Sequence, residues 1–177
     1  MSFSDSHPRG PRPTLRPKLL LAALALGCTL AATAQGATPA REPWTSLQGG
    51  ISDAPDTRNT NFVLLQHGRP REGLPLGLDF YAFNLGSIGR HRNAPPGSDE
   101  RVHFASMQLG YDFGRVTLAS GLALVSHVTD YLSSGYQFHS HLGIRLGRIE
   151  LGLGHLSNAR TRQPNKGESY LSVGFRF

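Results

Sequence analysis

Ile149-Glu-Leu-Gly-Leu-Gly-His-Leu-Ser157 alternates between large apolar residues and small or polar ones until its last turn. In an extended strand, successive side chains point to opposite faces, so Ile149, Leu151, Leu153, His155 and Ser157 share one face while Glu150, Gly152 and Gly154 take the other. A base and a nucleophile therefore stand on an otherwise apolar face. Residues two apart on a strand have α-carbons roughly 6.5–7 Å apart, from a rise of about 3.3 Å per residue. An imidazole nitrogen at that spacing can reach a hydroxyl, the first geometric demand of a serine hydrolase. An isolated His-x-Ser pair is far more often structural than catalytic, so its setting decides its meaning.

That setting is a chain of short alternating runs. The last of them, Ser169-Tyr-Leu-Ser-Val-Gly-Phe-Arg-Phe177, puts Leu171, Val173, Phe175 and Phe177 on one face and Tyr170, Ser172, Gly174 and Arg176 on the other. An amphipathic terminal strand ending in Phe resembles the assembly signal of bacterial outer-membrane barrels. Upstream, strands are expected at Thr45–Asp53, Asn59–Gln66, Leu76–Gly86, Arg101–Phe113, Arg115–Val125, Gln137–Leu146 and Ile149–Ser157. With Ser169–Phe177 that makes eight, the smallest even count for an outer-membrane barrel. No stretch sustains a 3.6-residue period with helix caps.

Phe113-Gly114-Arg115 and Gly147-Arg148 are short enough for tight turns, whereas His91–Glu100, Ser126–Tyr136 and Asn158–Glu168 are long and polar. Long and short connections alternate, as an up-and-down barrel requires. The predicted fold class is therefore all-β, an eight-stranded antiparallel transmembrane β-barrel. Its outward face would carry Leu118, Leu122, Leu142, Ile144, Leu151, Leu153, Val173 and Phe175. Val116 falls on the same predicted face. Thr117, Ala119, Gly121 and Ala123 would point inward, and so would Gln137, His139, His141 and Arg145, into a polar, hydrogen-bonded interior. His139-x-His141 lacks a third metal ligand of obvious register. The run Leu76–Gly86 is ambiguous, because polar and apolar residues mix at its far end.

The N-terminus supplies the compartment. Arg9, Arg12, Arg16 and Lys18 precede a 12-residue apolar run, Leu19–Leu30, which closes on Ala32-Thr33-Ala34. This is the pattern of a secretory signal peptide, residues 1–34, ahead of a barrel domain over 35–177. The run falls short of the ~20 residues a membrane-spanning helix needs. Cys28 lies inside the segment, so a chain cut after Ala34 carries no cysteine and no structural disulfide; a lipoprotein reading of Ala25-Leu26-Gly27-Cys28 competes less well. Cleavage removes four basic residues and one acidic, taking the formal net charge from +6 to +3. That mild basicity, without a dense Lys/Arg tract or aromatic platforms, argues against nucleic acid as a partner.

With a periplasmic C-terminus the last strand descends and Ile149–Ser157 ascends, which places His155 and Ser157 at the outer leaflet, facing lipid. Polar groups on a lipid-facing surface are costly and tend to be functional. His155-Leu-Ser157-Asn158-Ala159, followed by Pro164-Asn165-x-Gly167 and an aromatic C-terminus, resembles the motif of lipid A 3-O-deacylases of the PagL type. The resemblance is specific over about the last quarter of the chain. It implies an outer-membrane esterase that removes the 3-linked hydroxyacyl chain from the lipid A of lipopolysaccharide. It further implies Ser157 as nucleophile, His155 as general base, Asn165 as oxyanion donor and Asn158 as a residue shaping the site. No cofactor or metal is implied, and a homodimer is left open.

The acid is where the chain departs from that family. A glutamate shortly after the Asn-x-Gly element is expected to orient the histidine, but Glu168 follows Gly167 directly and Ser169 stands where the acid would fall. Plain alternation from Leu171 sends Ser169 outward and Glu168 inward. A bulge or a loop start at Glu168 would turn it outward and complete a triad; failing that, the pair would act as a dyad or take its acid from elsewhere. Two other readings stand beside the esterase. A non-catalytic barrel serving as adhesin or envelope scaffold shares the signal peptide and strand count but does not account for lipid-facing His155 and Ser157. Another outer-membrane lipid hydrolase or acyltransferase shares the chemistry and differs in substrate.

Overall fold

The computed structural model describes residues 42–53, 59–89 and 100–177. The expected signal peptide and nearly all of the polar stretch His91–Glu100 lie outside the described residues. Eight strands form one closed barrel: β1 Trp44–Asp53, β2 Thr60–Pro70, β3 Phe80–Ile88, β4 Val102–Asp112, β5 Val116–Val125, β6 Tyr136–Leu146, β7 Ile149–Ser157 and β8 Glu168–Arg176. Each is antiparallel to its sequence neighbours, and β8 returns to pair with β1 from Ser46 opposite Arg176 to Asp53 opposite Ser169. Closure leaves no strand with unpaired backbone groups at an edge.

Alternation in the sequence becomes inside and outside in the barrel. In β2, Phe62, Leu64 and Gln66 are buried, while Val63, Leu65 and His67 are exposed. The outward face contains the expected Leu118, Leu122, Val173 and Phe175, with Leu142, Ile144 and Leu153 half-exposed on the same side. Val116 is the exception and is buried. It opens β5 at the root of the hairpin, where Phe113 N donates to Val116 O at 2.8 Å, so it sits at the turn rather than on the open face.

β3 corrects the sequence expectation further. It starts at Phe80 rather than Leu76, and β2 runs on to Pro70. The intervening residues hold Gly73, Pro75 and Gly77; a single 3-10 turn spans Pro75–Gly77, with left-handed φ at Gly73, Leu76 and Gly77. Proline and left-handed backbone both disrupt a strand ladder. Tyr111 Oη donates to Leu76 O at 2.8 Å, and Asp79 Oδ2 accepts from Asp112 N at 2.8 Å, pinning this connection to the start of the next hairpin. With the boundary moved, the ambiguous face resolves: Phe80, Ala82 and Asn84 point inward, while Phe83 and Leu85 point outward.

The interior is packed in layers, as a barrel this narrow requires. At the rim where β1 begins and β8 ends, Trp44 meets Phe80 edge-on at 5.1 Å between ring centroids. At the opposite rim Phe62, Leu64, Ile88, Val102, Phe104, Leu132 and Leu156 form an apolar cluster that includes Tyr170. Between them lies the hydrogen-bonded polar layer expected for His139 and His141. Tyr170 Oη lies 2.7 Å from His139 Nε2 and 2.9 Å from His141 Nδ1. Ser106 Oγ is 2.8 Å from His139 Nδ1, and Gln48 Nε2 donates to Glu150 Oε1 at 3.0 Å. Gly154 makes room for the Tyr170 ring, since a Cβ there would lie 2.0 Å from Tyr170 Cζ.

Outside, large apolar side chains encircle the barrel, among them Leu47, Val63, Phe83, Met107, Leu122 and Leu171. A continuous apolar girdle exceeds what water-facing surfaces carry and suits lipid. Leu122→Arg, at the middle of β5, is therefore expected to destabilise the inserted barrel by about 2–4 kcal/mol, the depth-dependent cost of a cation near the bilayer midplane. Urea unfolding in lipid vesicles measures it, and an unchanged midpoint would mean that this face does not meet hydrocarbon.

Candidate active site

His155 and Ser157 close β7 on the outward face, at the rim where β8 begins. In the barrel register His155 stands between Ser140 of β6 and Ser169 of β8, and Ser157 opposite Phe138. The His155 Nδ1 atom is 3.0 Å from Ser169 Oγ. The Ser157 hydroxyl oxygen accepts a hydrogen bond from Asn165 Nδ2 at 2.9 Å and another from Ala159 N at 3.2 Å. Of the residues singled out in the sequence, Ser157 and Asn165 are joined by a hydrogen bond, while His155 shares the outward face of β7 two residues before Ser157 and is bonded to Ser169.

The loop that makes this possible is built by Asn158. Its O accepts from Thr161 N at 3.1 Å and from Thr161 Oγ1 at 2.9 Å. The two residues inside that turn, Ala159 and Arg160, have φ of 53° and 65°. Positive φ at both central positions marks a mirror-image turn, unusual for residues with side chains. It aims Ala159 N back at Ser157. The Asn158 side chain is buried and turned away from the hydroxyl: its Nδ2 donates to Ser133 Oγ and to Arg162 O, each at 3.0 Å. Asn158 N donates to Asn165 Oδ1 at 3.4 Å, which sets the orientation of that amide. Asn158 shapes the site from behind rather than from within it.

The connection between β5 and β6 braces the same loop. Tyr131 and Leu132 are buried, Ser133 Oγ donates to Arg162 O at 2.9 Å, and Gly167 N donates to Tyr131 O at 2.9 Å. Gly167 itself has φ of 68°, and a Cβ there would lie 2.7 Å from His155 Cε1 and 3.0 Å from its Nε2. The imidazole therefore rests against bare backbone. Sequence reasoning missed Ala159 N and this close approach; the Gly167 signal was present only as a motif glycine without an assigned task.

Glu168 does not turn outward. β8 begins at Glu168 in regular register, with Leu156 opposite Glu168 and His155 opposite Ser169, so no bulge intervenes and alternation holds. The Glu168 side chain is buried on the interior side, and the hydroxyl of Ser169 occupies the place beside Nδ1 where a triad carboxylate would stand.

Residues 101–177, which comprise β4 to β8, match the family model described as lipid A 3-O-deacylase (PagL). A solved structure titled "Crystal structure of the outer membrane enzyme PagL" is similar in fold, with a TM-score of 0.52 and 15% sequence identity over 76% of this chain and 98% of that one. No curated protein matches the chain significantly.

Proposed function

Through residues 101–177 the chain belongs to the PagL family of lipid A 3-O-deacylases, and from that premise we propose that Ser157 and His155 form its esterase centre on the lipid-facing side of the barrel. The observation that carries the reading is that His155, hydrogen-bonded to Ser169, and Ser157, hydrogen-bonded to Asn165, stand two residues apart on the outward face of one strand. Four polar groups there are expensive unless chemistry requires them.

Hydrogen bonding orients the base. If Ser169 Oγ accepts from Nδ1–H, the imidazole is held in the tautomer whose Nε2 lone pair takes the Ser157 proton. Ser157 Oγ then attacks the carbonyl carbon of the 3-O-linked acyl ester. Collapse of the tetrahedral intermediate breaks the ester C–O bond, and the proton on His155 passes to the departing sugar oxygen. Water, deprotonated by the same nitrogen, attacks the acyl-enzyme and releases the fatty acid while Ser157 recovers its proton. Asn165 Nδ2 and Ala159 N, both beside the nucleophile, are the donors available to the oxyanion; one such donor is worth about 2.7–4 kcal/mol of barrier. Below the site Leu153 and Leu171 face each other across the outer surface, offering apolar contact to the acyl chain without leaving the bilayer.

Mass spectrometry of lipid A from a Gram-negative host expressing the chain tests the reaction. The expected spectrum lacks one 3-hydroxyacyl group, with free 3-hydroxy fatty acid released. An unchanged lipid A beside cleaved phospholipids, or beside added acyl groups, would reassign the substrate or the reaction.

The orienting role separates two neighbouring residues. Ser169→Ala is expected to lower kcat by about 5–150-fold, the equivalent of losing a hydrogen bond worth roughly 1–3 kcal/mol. Glu168→Gln, on the interior side, should leave kcat within about threefold in folded protein, because an outward imidazole is beyond its reach. Equal losses from both variants in one deacylation assay would place the orienting group elsewhere.

A further inference from the structure

Ser169 stands in a cross-strand row of polar residues on the outward surface. Ser120 of β5 faces Ser140 of β6, Ser140 faces His155 of β7, His155 faces Ser169 of β8, and Ser169 faces Asp53 of β1 across the seam that closes the barrel. The Ser120 and Ser140 hydroxyls are 3.3 Å apart, and His155 Nδ1 is 3.0 Å from Ser169 Oγ. Asp53 is exposed on the outward side of β1, as parity with Ile51 and Leu47 requires. It is the carboxylate of this row, and it lies outside the segment that matches the family model.

A serine hydroxyl has one proton to donate and two lone pairs. When Ser169 Oγ accepts from His155 Nδ1–H, that proton still needs an acceptor, and directly opposed residues on paired strands have Cβ atoms about 4.5–5.5 Å apart. An aspartate arm covers that gap to a serine oxygen. It does not cover the gap to His155 itself, which lies two strand spacings from β1, or roughly 9.6 Å. The carboxylate can therefore act on the imidazole only through the hydroxyl between them.

We propose that Asp53 is the displaced acid of this site: a positioning residue that accepts the Ser169 proton and thereby steadies the Nδ1–H of His155 as the imidazolium forms. The proposal rests on the Ser157/His155 reading above. Chained hydrogen bonds polarise one another, and a carboxylate at a lipid-facing surface acts through a lower dielectric than in water. Asp53 and Ser169 are register partners only because the first and last strands meet.

The test measures release of 3-hydroxy fatty acid from lipid A by the full-length barrel in detergent micelles, with folding checked by the mobility shift between unheated and heated samples on gels. Asp53→Asn should lower kcat about tenfold and leave KM within twofold, and Asp53→Glu should recover at least half of the loss. In a Ser169→Ala background, Asp53→Asn should cost nothing further, because the link is already cut. Wild-type kcat in Asp53→Asn, or the same fold-loss in both backgrounds, overturns the proposal. Ser157→Ala run alongside keeps the two claims apart: full activity there sinks the esterase reading, whereas an inactive Ser157→Ala with an unaffected Asp53→Asn sinks only the role of Asp53.

Discussion

Ser157→Ala and His155→Ala are each expected to reduce fatty-acid release from lipid A by about 10⁴–10⁶-fold, with the barrel still folding. That corresponds to about 5–8 kcal/mol of transition-state stabilisation. In the proposed mechanism the two residues act as one unit: without the hydroxyl no acyl-enzyme forms, and without the imidazole the hydroxyl is a poor nucleophile at neutral pH. The double variant should therefore be no slower than the worse single variant, since groups that work as a unit give non-additive losses. Both side chains stand on the outward face, so neither truncation opens a cavity in the interior, and the mobility shift on gels should persist. Deacylation at more than a hundredth of the wild-type rate by folded Ser157→Ala would mean that another group attacks the ester.

Gly167→Ala is expected to cost about a hundredfold in kcat although it removes no polar group. Two effects meet at this residue. Its φ of 68° is a left-handed conformation, which costs an L-residue roughly 1–2 kcal/mol. The new methyl would also lie 2.7 Å from His155 Cε1 and 3.2 Å from Leu156 O, so the ring must move. A displacement of about 1 Å at a catalytic group costs on the order of a hundredfold in rate. Gly147 separates the two effects: its φ is 66°, but a Cβ there meets nothing within 4 Å. Gly147→Ala carries the backbone strain without the collision and should lower stability slightly while leaving kcat unchanged. Parallel kinetics on the two variants decides the matter; equal losses would assign the effect to strain rather than to crowding of the imidazole.

Much of the barrel could be read from the chain because side-chain alternation is a property of extended backbone and needs no partner. Leu118, Leu122 and Val173 face outward, and His139 and His141 inward, by parity alone. Alternation alone does not locate the start of β3, where local turn chemistry prevails: Gly73, Pro75 and Gly77 delay it to Phe80. At the site, His155, Ser157 and Asn165 were legible, the first two from their spacing and the third only by resemblance. Ala159 N was not, because an Asn-Ala-Arg-Thr segment carries no obvious mark of a turn with two left-handed residues.

Plain alternation also held at Glu168, where an expected bulge did not form. What the sequence by itself determined was therefore each strand's two faces and the placing of a histidine and a serine together on one of them, since both follow from a two-residue repeat along a single strand. Which groups stand beside those residues was decided only by the tertiary structure. Cross-strand register sets Ser169 against His155, barrel closure brings Asp53 of the first strand to Ser169 of the last, and the packed loop around Tyr131 and Asn158 places Gly167 against the imidazole. Those neighbours are far apart along the chain or fixed by hydrogen bonds between loops, and a period of two says nothing about how one strand slides past another.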